Sequence, residues 1–459
     1  MVVNGGMWGS IGRSQAKCLL QCVIGSVTAL ALSDQALALP SYAQQSGLPC
    51  TRCHTLAFGP GLTAYGRQFK LNAYDLGNTQ SFVPISAMVL GGFSRSSSRQ
   101  PAPPADNFYT NNNFSLDQAS LFYAGRITNH LGALVQVTYN GIDRTVSWDN
   151  LDVRYARAFS IGNTGIVAGI EVNNNPTVQD LWNTTPAWGF PYVSSPLVPG
   201  PAAAPLIAGG LAQTVLGSTA YVLINDLVYL EAGGYRGLSD HTLKHVGVNP
   251  LSSPHMDGLS PYWRATLQFS NPINYYSIGL LGMTSKLQPD TSVPMTDRYR
   301  DIGIDGVYQY TAGVHHVTAN AAWIHEQRDL EASFASGASD ASSNSLNSLL
   351  INVDYIYNQT WSSTVAWFDT RGTSNQLLYA SAELSGSANG SPDTRGYTLQ
   401  FEYVPFGKEN SIARPWLNVR LGLQYTGYLR FNGGSSDYDG FGRSAQNNNS
   451  LYAFYWLAF

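Results

Sequence analysis

The stretch Pro49-Cys50-Thr51-Arg52-Cys53-His54 carries the clearest chemistry in the chain. Two cysteines separated by two residues, with a histidine directly after the second, form the C-x-x-C-H attachment pattern of a c-type haem. Each thiol can make a thioether to one edge of the porphyrin, and the imidazole then meets the iron from one face. Cys50 and Cys53 are the candidate covalent anchors for a single haem c, and His54 is the candidate proximal iron ligand. A structural zinc site would need a second C-x-x-C pair, and the chain has none. Arg52, Arg67 and Lys70 are the nearby cations available to haem propionates.

The rest of the 459 residues must position that motif. Residues 1–38 read as a secretory signal peptide: Arg13 and Lys17 are basic, Cys18 to Leu32 is an apolar run, and Ala36-Leu37-Ala38 is a small-residue cleavage site. A membrane anchor is the competing reading, but the run falls short of the about 20 residues that a spanning helix needs. Removal of the signal takes Cys18 and Cys22 with it. Cys50 and Cys53 remain, and no disulfide framework is left despite the oxidising compartment. Residues 39–81 form the haem segment, rich in Pro and Gly at first, with Leu62 to Tyr74 patterned as a short helix. A segment this small cannot bury a haem by itself, so it must borrow walls from residues 82–459.

Those residues have an unusual composition. Charged residues make up 12% of the chain, against about 25% in an average globular protein. Aromatics are also 12%, with 27 Tyr and 10 Trp. From Phe82 onward apolar and polar side chains alternate with period two. Val135, Val137 and Tyr139 alternate with Gln136, Thr138 and Asn140, and Leu417, Val419, Leu421 and Leu423 with Asn418 and Arg420. Sixteen such strands are predicted, at 83–96, 114–129, 132–144, 149–160, 163–172, 214–223, 227–237, 260–271, 273–287, 298–311, 313–327, 346–359, 360–371, 394–405, 414–428 and 448–459. Short connections alternate with long polar loops at 97–113, 173–213, 238–259, 328–345, 372–393 and 429–447. One apolar face, one polar face, aromatic richness and alternating loop lengths specify an all-β, 16-stranded outer-membrane barrel. The alternating aromatic stretch that ends in Phe459 reads as a barrel-assembly signal. A net charge of −4 argues against a nucleic-acid partner.

Taken together, the signal peptide, the run LPSYAQQSGLPCTRCHTLAFGPGLTAYGRQFKLNAY and the barrel resemble the fused outer-membrane cytochrome–porins of iron-oxidising bacteria, the Acidithiobacillus-type iron-oxidising cytochromes. The specific part of the resemblance is Cys50 to His54 with Tyr65-Gly66-Arg67-Gln68-Phe69-Lys70-Leu71, joined by Gln179 to Phe190 in the barrel half. The resemblance implies an electron-transfer oxidoreductase. It would take electrons from extracellular ferrous iron and pass them through one haem to a periplasmic acceptor, either a blue copper protein or another c-type cytochrome. Some relatives occur in organisms that are not iron oxidisers, so the donor does not follow from the architecture.

A bilayer is an insulator with a core about 30 Å thick, so one haem serving both sides must sit inside the barrel. A 16-stranded lumen has room for such a plug. A methionine ligand raises the potential, as a ferrous donor requires. Of Met88, Met256, Met283 and Met295, Met88 falls on the lumen face just after the haem segment and is the candidate distal ligand; packing against the plug is its alternative role. His241, His245 and His255 share one outer loop, read as solvated rather than metal-binding. Two other functions compete: a porin whose haem is a structural or sensory plug, and a peroxidase, for which no distal His–Arg arrangement stands near the motif.

Overall fold

The computed structural model describes residues 40–77, 83–413 and 416–459. The signal-peptide reading at 1–38 and the junction between the two predicted segments at 78–82 fall outside the described residues.

Period-two patterning becomes sixteen barrel strands: β1 (Ile85–Ser96), β2 (Asn113–Thr128), β3 (Leu131–Asn140), β4 (Thr145–Ile161), β5 (Thr164–Asn173), β6 (Val215–Ile224), β7 (Val228–Gly237), β8 (Ser260–Ser270), β9 (Asn274–Gln288), β10 (Asp297–Ala312), β11 (His315–Asp329), β12 (Ser343–Tyr357), β13 (Trp361–Gly372), β14 (Thr394–Tyr403), β15 (Asn418–Arg430) and β16 (Ser450–Ala458). Each pairs antiparallel with the next, and β16 returns to β1, from Met88↔Ala458 to Ser96↔Ser450. The barrel is closed, so it has no free sheet edge. A two-residue strand, His255–Met256, adds to β9 at the rim.

The faces sort as alternation requires. Ile278, Leu280, Ile302, Ile304, Val353 and Leu399 are large, apolar and exposed on the outside. Gln268, Asp305, Gln309, Glu326 and Gln400, of opposite parity, are buried inside. At one rim the outward residues are aromatic: the Trp361 ring stacks on Tyr403 at 4.4 Å, beside exposed Tyr357. An apolar band with an aromatic girdle is the exterior of an outer-membrane barrel. No helix among the described residues is long and apolar enough to cross a membrane. The strands do the crossing.

Connections at that rim are short, at 129–130, 162–163, 225–227, 271–273, 313–314 and 358–360, with one exception at 404–417. Short turns mark the periplasmic end in barrels of this class. The opposite rim carries the long loops. The longest, 174–214, folds into the lumen rather than outward. Its backbone meets opposite walls: Val193 O accepts from Gln424 on β15, and Leu206 N donates to Glu326 on β11.

Residues 40–77 occupy the lumen below that loop. They form α1 (Pro40–Ser46), α2 (Cys50–Cys53) and α3 (Ala64–Leu71). Their bonds reach most of the way around the wall: Tyr42 to Ala133 on β3, Tyr74 to Asp152 on β4, Leu71 to Tyr221 on β6, Arg67 to Gln309 on β10 and Phe58 to Arg420 on β15. A segment can touch all these inward faces only from inside the barrel.

Candidate functional site

Local chemistry shapes the motif before the barrel acts on it. Pro49 precedes α2 with φ −67°, the value its ring imposes. One helical turn closes through Arg52 N to Pro49 O and His54 N to Cys50 O, both 2.9 Å. Residues three apart on a helix lie on one face, so Cys50 and Cys53 point the same way. The chain then extends from His54 and doubles back, with His54 bridged to Leu62 and Thr63 N bonded to Cys53 O. Thr63 caps α3 by accepting from Gly66 N and donates its hydroxyl to Arg52 O at 2.6 Å. Gly66 lies so close to the motif that a Cβ there would collide with the Cys53 carbonyl.

The barrel pins this fold-back from above and from the side. Arg420 holds Glu402 with two bonds of 2.7 and 2.8 Å and donates to Phe58 O at 2.7 Å. Its guanidinium lies 5.1 Å from the Trp456 ring, which meets Phe58 edge-on at 5.0 Å. Gly59 has φ +102°, a conformation that favours glycine, and Arg420 fills the space a side chain would take.

Beside the motif opens a cavity of about 490 Å³, within the range of small-molecule and cofactor sites. Cys50, Cys53 and His54 are half-buried and line it. Most of the wall is apolar, including Met88, Leu90, Phe122, Leu134 and Trp456 from the barrel. Trp188 and Tyr192 from the inward loop cover one side. Asn418 donates to Cys50 Sγ at 3.4 Å.

Burial sets the protonation states here. It pushes the Cys53 thiol up to about 12, with Cys50 acting in the same direction and Arg52 opposing. A thiol held protonated is a poor thiolate ligand for a metal. Burial also draws the His54 imidazole down to about 4; Arg420 adds to this and the backbone at Gly59 and Gly61 opposes it. The neutral imidazole is the form that binds a metal. His54 Nδ1 is buried without a hydrogen-bond partner in the structure. Paired thiols, a neutral imidazole and an apolar hollow fit a covalently held haem.

The other predicted contacts divide. Met88 is on the inward face of β1, 7% exposed, in the cavity wall. Met283, also inward, packs elsewhere, in a cluster with Ile207 and Tyr235. Lys70 lines the cavity and donates to Val178 O and Asp180 O at 2.8 and 2.6 Å. Burial draws its ammonium down to about 8, helped by Arg154 and resisted by Asp152 and Asp180. Arg67 turns away from the cavity: it lies 3.5 Å over the Tyr275 ring and donates to Leu62 O and Gln309. Arg52 is exposed, 4.9 Å over Tyr65. The His241 and His245 rings lie 4.2 Å apart, tilted by 37°, on a short helix at the outer rim, and the described residues contain no group of three or more His, Cys, Asp or Glu that could hold a metal ion. The aromatic walls Phe58, Trp188, Tyr192 and Trp456 were not singled out from sequence; the parity of Trp456 within β16 is the signal that places it inward.

No protein-family model matches the chain. No curated protein matches it either. Solved structures do. The chain is similar to OmpF of Salmonella typhi, solved with daunomycin, at 11% identity and a TM-score of 0.46, covering 82% of this chain and 97% of that one. The DcaP channel of Acinetobacter baumannii gives 11% identity and 0.43, covering 82% and 96%. An anion-selective porin from Comamonas acidovorans gives 11% and 0.41, covering 82% and 99%.

Proposed function

We propose that this chain is an outer-membrane c-type cytochrome that accepts electrons from extracellular ferrous iron and delivers them to a periplasmic carrier, a blue copper protein or a c-type cytochrome. The observation that carries this reading is the meeting, on one apolar lumen cavity, of Cys50, Cys53 and His54 from residues 40–77 with Met88 from β1. Cys50 and Cys53 would hold haem c covalently, His54 would bind its iron, and Met88, on the cavity wall, would be the second ligand. When bound, the haem supplies a one-electron redox centre. The polypeptide insulates and orients: Arg420 fixes the 58–62 fold-back, Asn418 positions Cys50, and the apolar wall keeps water from the iron's surroundings.

The lumen filling favours a conduit over an open pore, because residues 40–77 and loop 174–214 both cross it. Stopped-flow spectroscopy of the purified haem protein with ferrous iron in acid is the deciding test. Rapid appearance of reduced c-type bands is expected. A haem that dithionite reduces and ferrous iron does not would overturn the iron-oxidising reading in favour of another external donor or of a plugged porin, and high ion conductance would single out the latter.

A further inference from the structure

We propose that an irregularity in β4 builds a docking collar for a small hydrated divalent cation at the outer end of the cavity, with Asp149 its selective residue. The proposal rests on the electron-conduit reading for its purpose, though not for its geometry.

In a regular strand neighbouring side chains face opposite sides. Between β3 and β4 that rule breaks. Val135 pairs with Leu151, but Val137 pairs with Trp148, so Asp149 and Asn150 together oppose Gln136. This is a β-bulge, and it brings both Asp149 and Asn150 to the cavity lining. Bulges recur beside functional sites because they re-aim a side chain. A second bulge, between β1 and β2, matches it: Leu90 pairs with Gln118 and Gly91 with Leu116, leaving Asp117 extra. Asp117 is buried, bonded to Ser115 and Tyr452, and its neighbour Gln118 lines the cavity.

The result is a ring of oxygen-bearing side chains, Gln118, Gln136, Asp149 and Asn150, above an apolar hollow. Gln118 lies in the half of β2 nearer the outer rim and Gln136 midway along β3; Asp149 is four residues into β4 from that rim, about 13 Å along the strand at ~3.3 Å per residue. Pro191 and Ser194 in the adjacent cover are exposed yet border the cavity, so water from above reaches this level. Asp149 is the one carboxylate among the lining residues. Thr138 donates to it at 2.8 Å, Asn150 and Gln213 at 3.3 Å and Gln118 at 3.4 Å, and no cation pairs with it among the described residues. Elsewhere in the lumen Asp152, Glu171, Asp180, Asp305, Glu326 and Glu402 each face an arginine, and the buried carboxylates Asp117, Glu231, Asp297, Asp301 and Asp354, which no arginine pairs, stand outside the cavity lining. Asp149 is thus the carboxylate that meets what enters the cavity with no arginine beside it. Carboxylate and amide oxygens suit a hard divalent ion, and a single carboxylate holds one loosely enough to release it. A divalent iron held there would lose one electron to the haem that Cys50, Cys53 and His54 would hold and leave as the trivalent ion, with no covalent bond formed or broken.

The test uses the purified full-length holoprotein with Mn²⁺ as a redox-silent probe, followed by its paramagnetic resonance signal. The intact protein is expected to bind one Mn²⁺ that Asp149→Asn loses by tenfold or more in affinity and Asp149→Glu restores. In the same variants the apparent KM for ferrous iron rises tenfold or more for Asp149→Asn, with the maximal rate within about twofold and dithionite reduction unchanged. Heat-modifiable gel mobility verifies that both variants are folded barrels. Unaltered Mn²⁺ binding in Asp149→Asn overturns the collar, even if ferrous iron still reduces the haem. Wild-type protein that binds Mn²⁺ at Asp149 but is not reduced by ferrous iron overturns the donor assignment and leaves the collar standing.

Discussion

Two halves of one lumen are built on opposite principles. Along β4 to β11 the interior is solid and ionic. Arg154, fully buried, bonds Asp152 at 2.8 Å and Glu171 at 3.0 Å, and Arg264 bonds Asp305 at 2.7 Å and Asp180 at 3.4 Å. Tyr229, Trp182 and Tyr275 fill the space between. Along β1 to β3 and β15 to β16 the interior is hollow and mostly apolar, the Arg420–Glu402 pair and the Gln118–Gln136 level apart, and here the C-x-x-C-H motif sits. The first half grips residues 40–77 at Leu71, Tyr74 and Arg67; the second half holds them at Tyr42 and Phe58 and leaves room beside them for something the chain itself does not supply. A rigid half and a receptive half let a plug be fixed without filling the space it guards.

The largest expected effect falls on the hollow half. Cys50→Ala with Cys53→Ala removes all covalent haem, read by haem staining after denaturing electrophoresis, while heat-modifiable mobility shows that the barrel persists. On the solid half, Arg154→Ala leaves Asp152 and Glu171 buried without their cation and costs about 3–5 kcal/mol. Urea unfolding in lipid vesicles checks it, and a variant as stable as the parent would erase the contrast between the halves. Shortening loop 174–214 by residues 186–195 takes the cover off the hollow half alone, and planar-bilayer conductance is expected to rise severalfold. Met88→Leu conserves volume and costs less than about 1.5 kcal/mol, yet lowers the reduction potential and abolishes the absorption of a methionine-bound iron. An unchanged spectrum would return Met88 to a packing role.

The smallest effect is one of pH. Lys70 titrates near 8 in the folded chain instead of 10.5 because burial disfavours its charge. Between those values the unfolded chain binds the proton that the folded chain has lost, so stability rises as pH rises through that window and is flat below it. Lys70→Met removes the slope in urea-unfolding midpoints measured from about pH 7.5 to 10.5.

Much of this was legible in the residues. Sixteen strands follow from alternation because water-facing lumen and lipid-facing exterior demand opposite side chains at every step, and observed bounds differ from the predicted ones by a few residues. Parity alone places Met88 inside. The helix expected within 62–74 is α3. Other features resist such reading. A bulge reverses parity without a compositional mark, so Asp117 and Asp149 could not be assigned a face. Arg67 and Lys70, three apart on α3, look equivalent in sequence; only the positions of Tyr275 and the 178–180 backbone send one away from the cavity and keep the other beside it. Phe58 and Trp456 meet across nearly the whole chain, a contact that no local pattern encodes.

Strand β16 has two duties. It forms the seam with β1, and it gives Trp456 and Ala458 to the cavity wall. Prying the seam apart therefore strips the cavity, and anything bound in the cavity resists the prying. By linkage, a guest that binds the closed form and not the open one adds its binding free energy to the seam. The seam is thus a latch whose strength is set by its cargo: the loaded barrel should be the one that survives heat and detergent, and the empty barrel the one that unzips first.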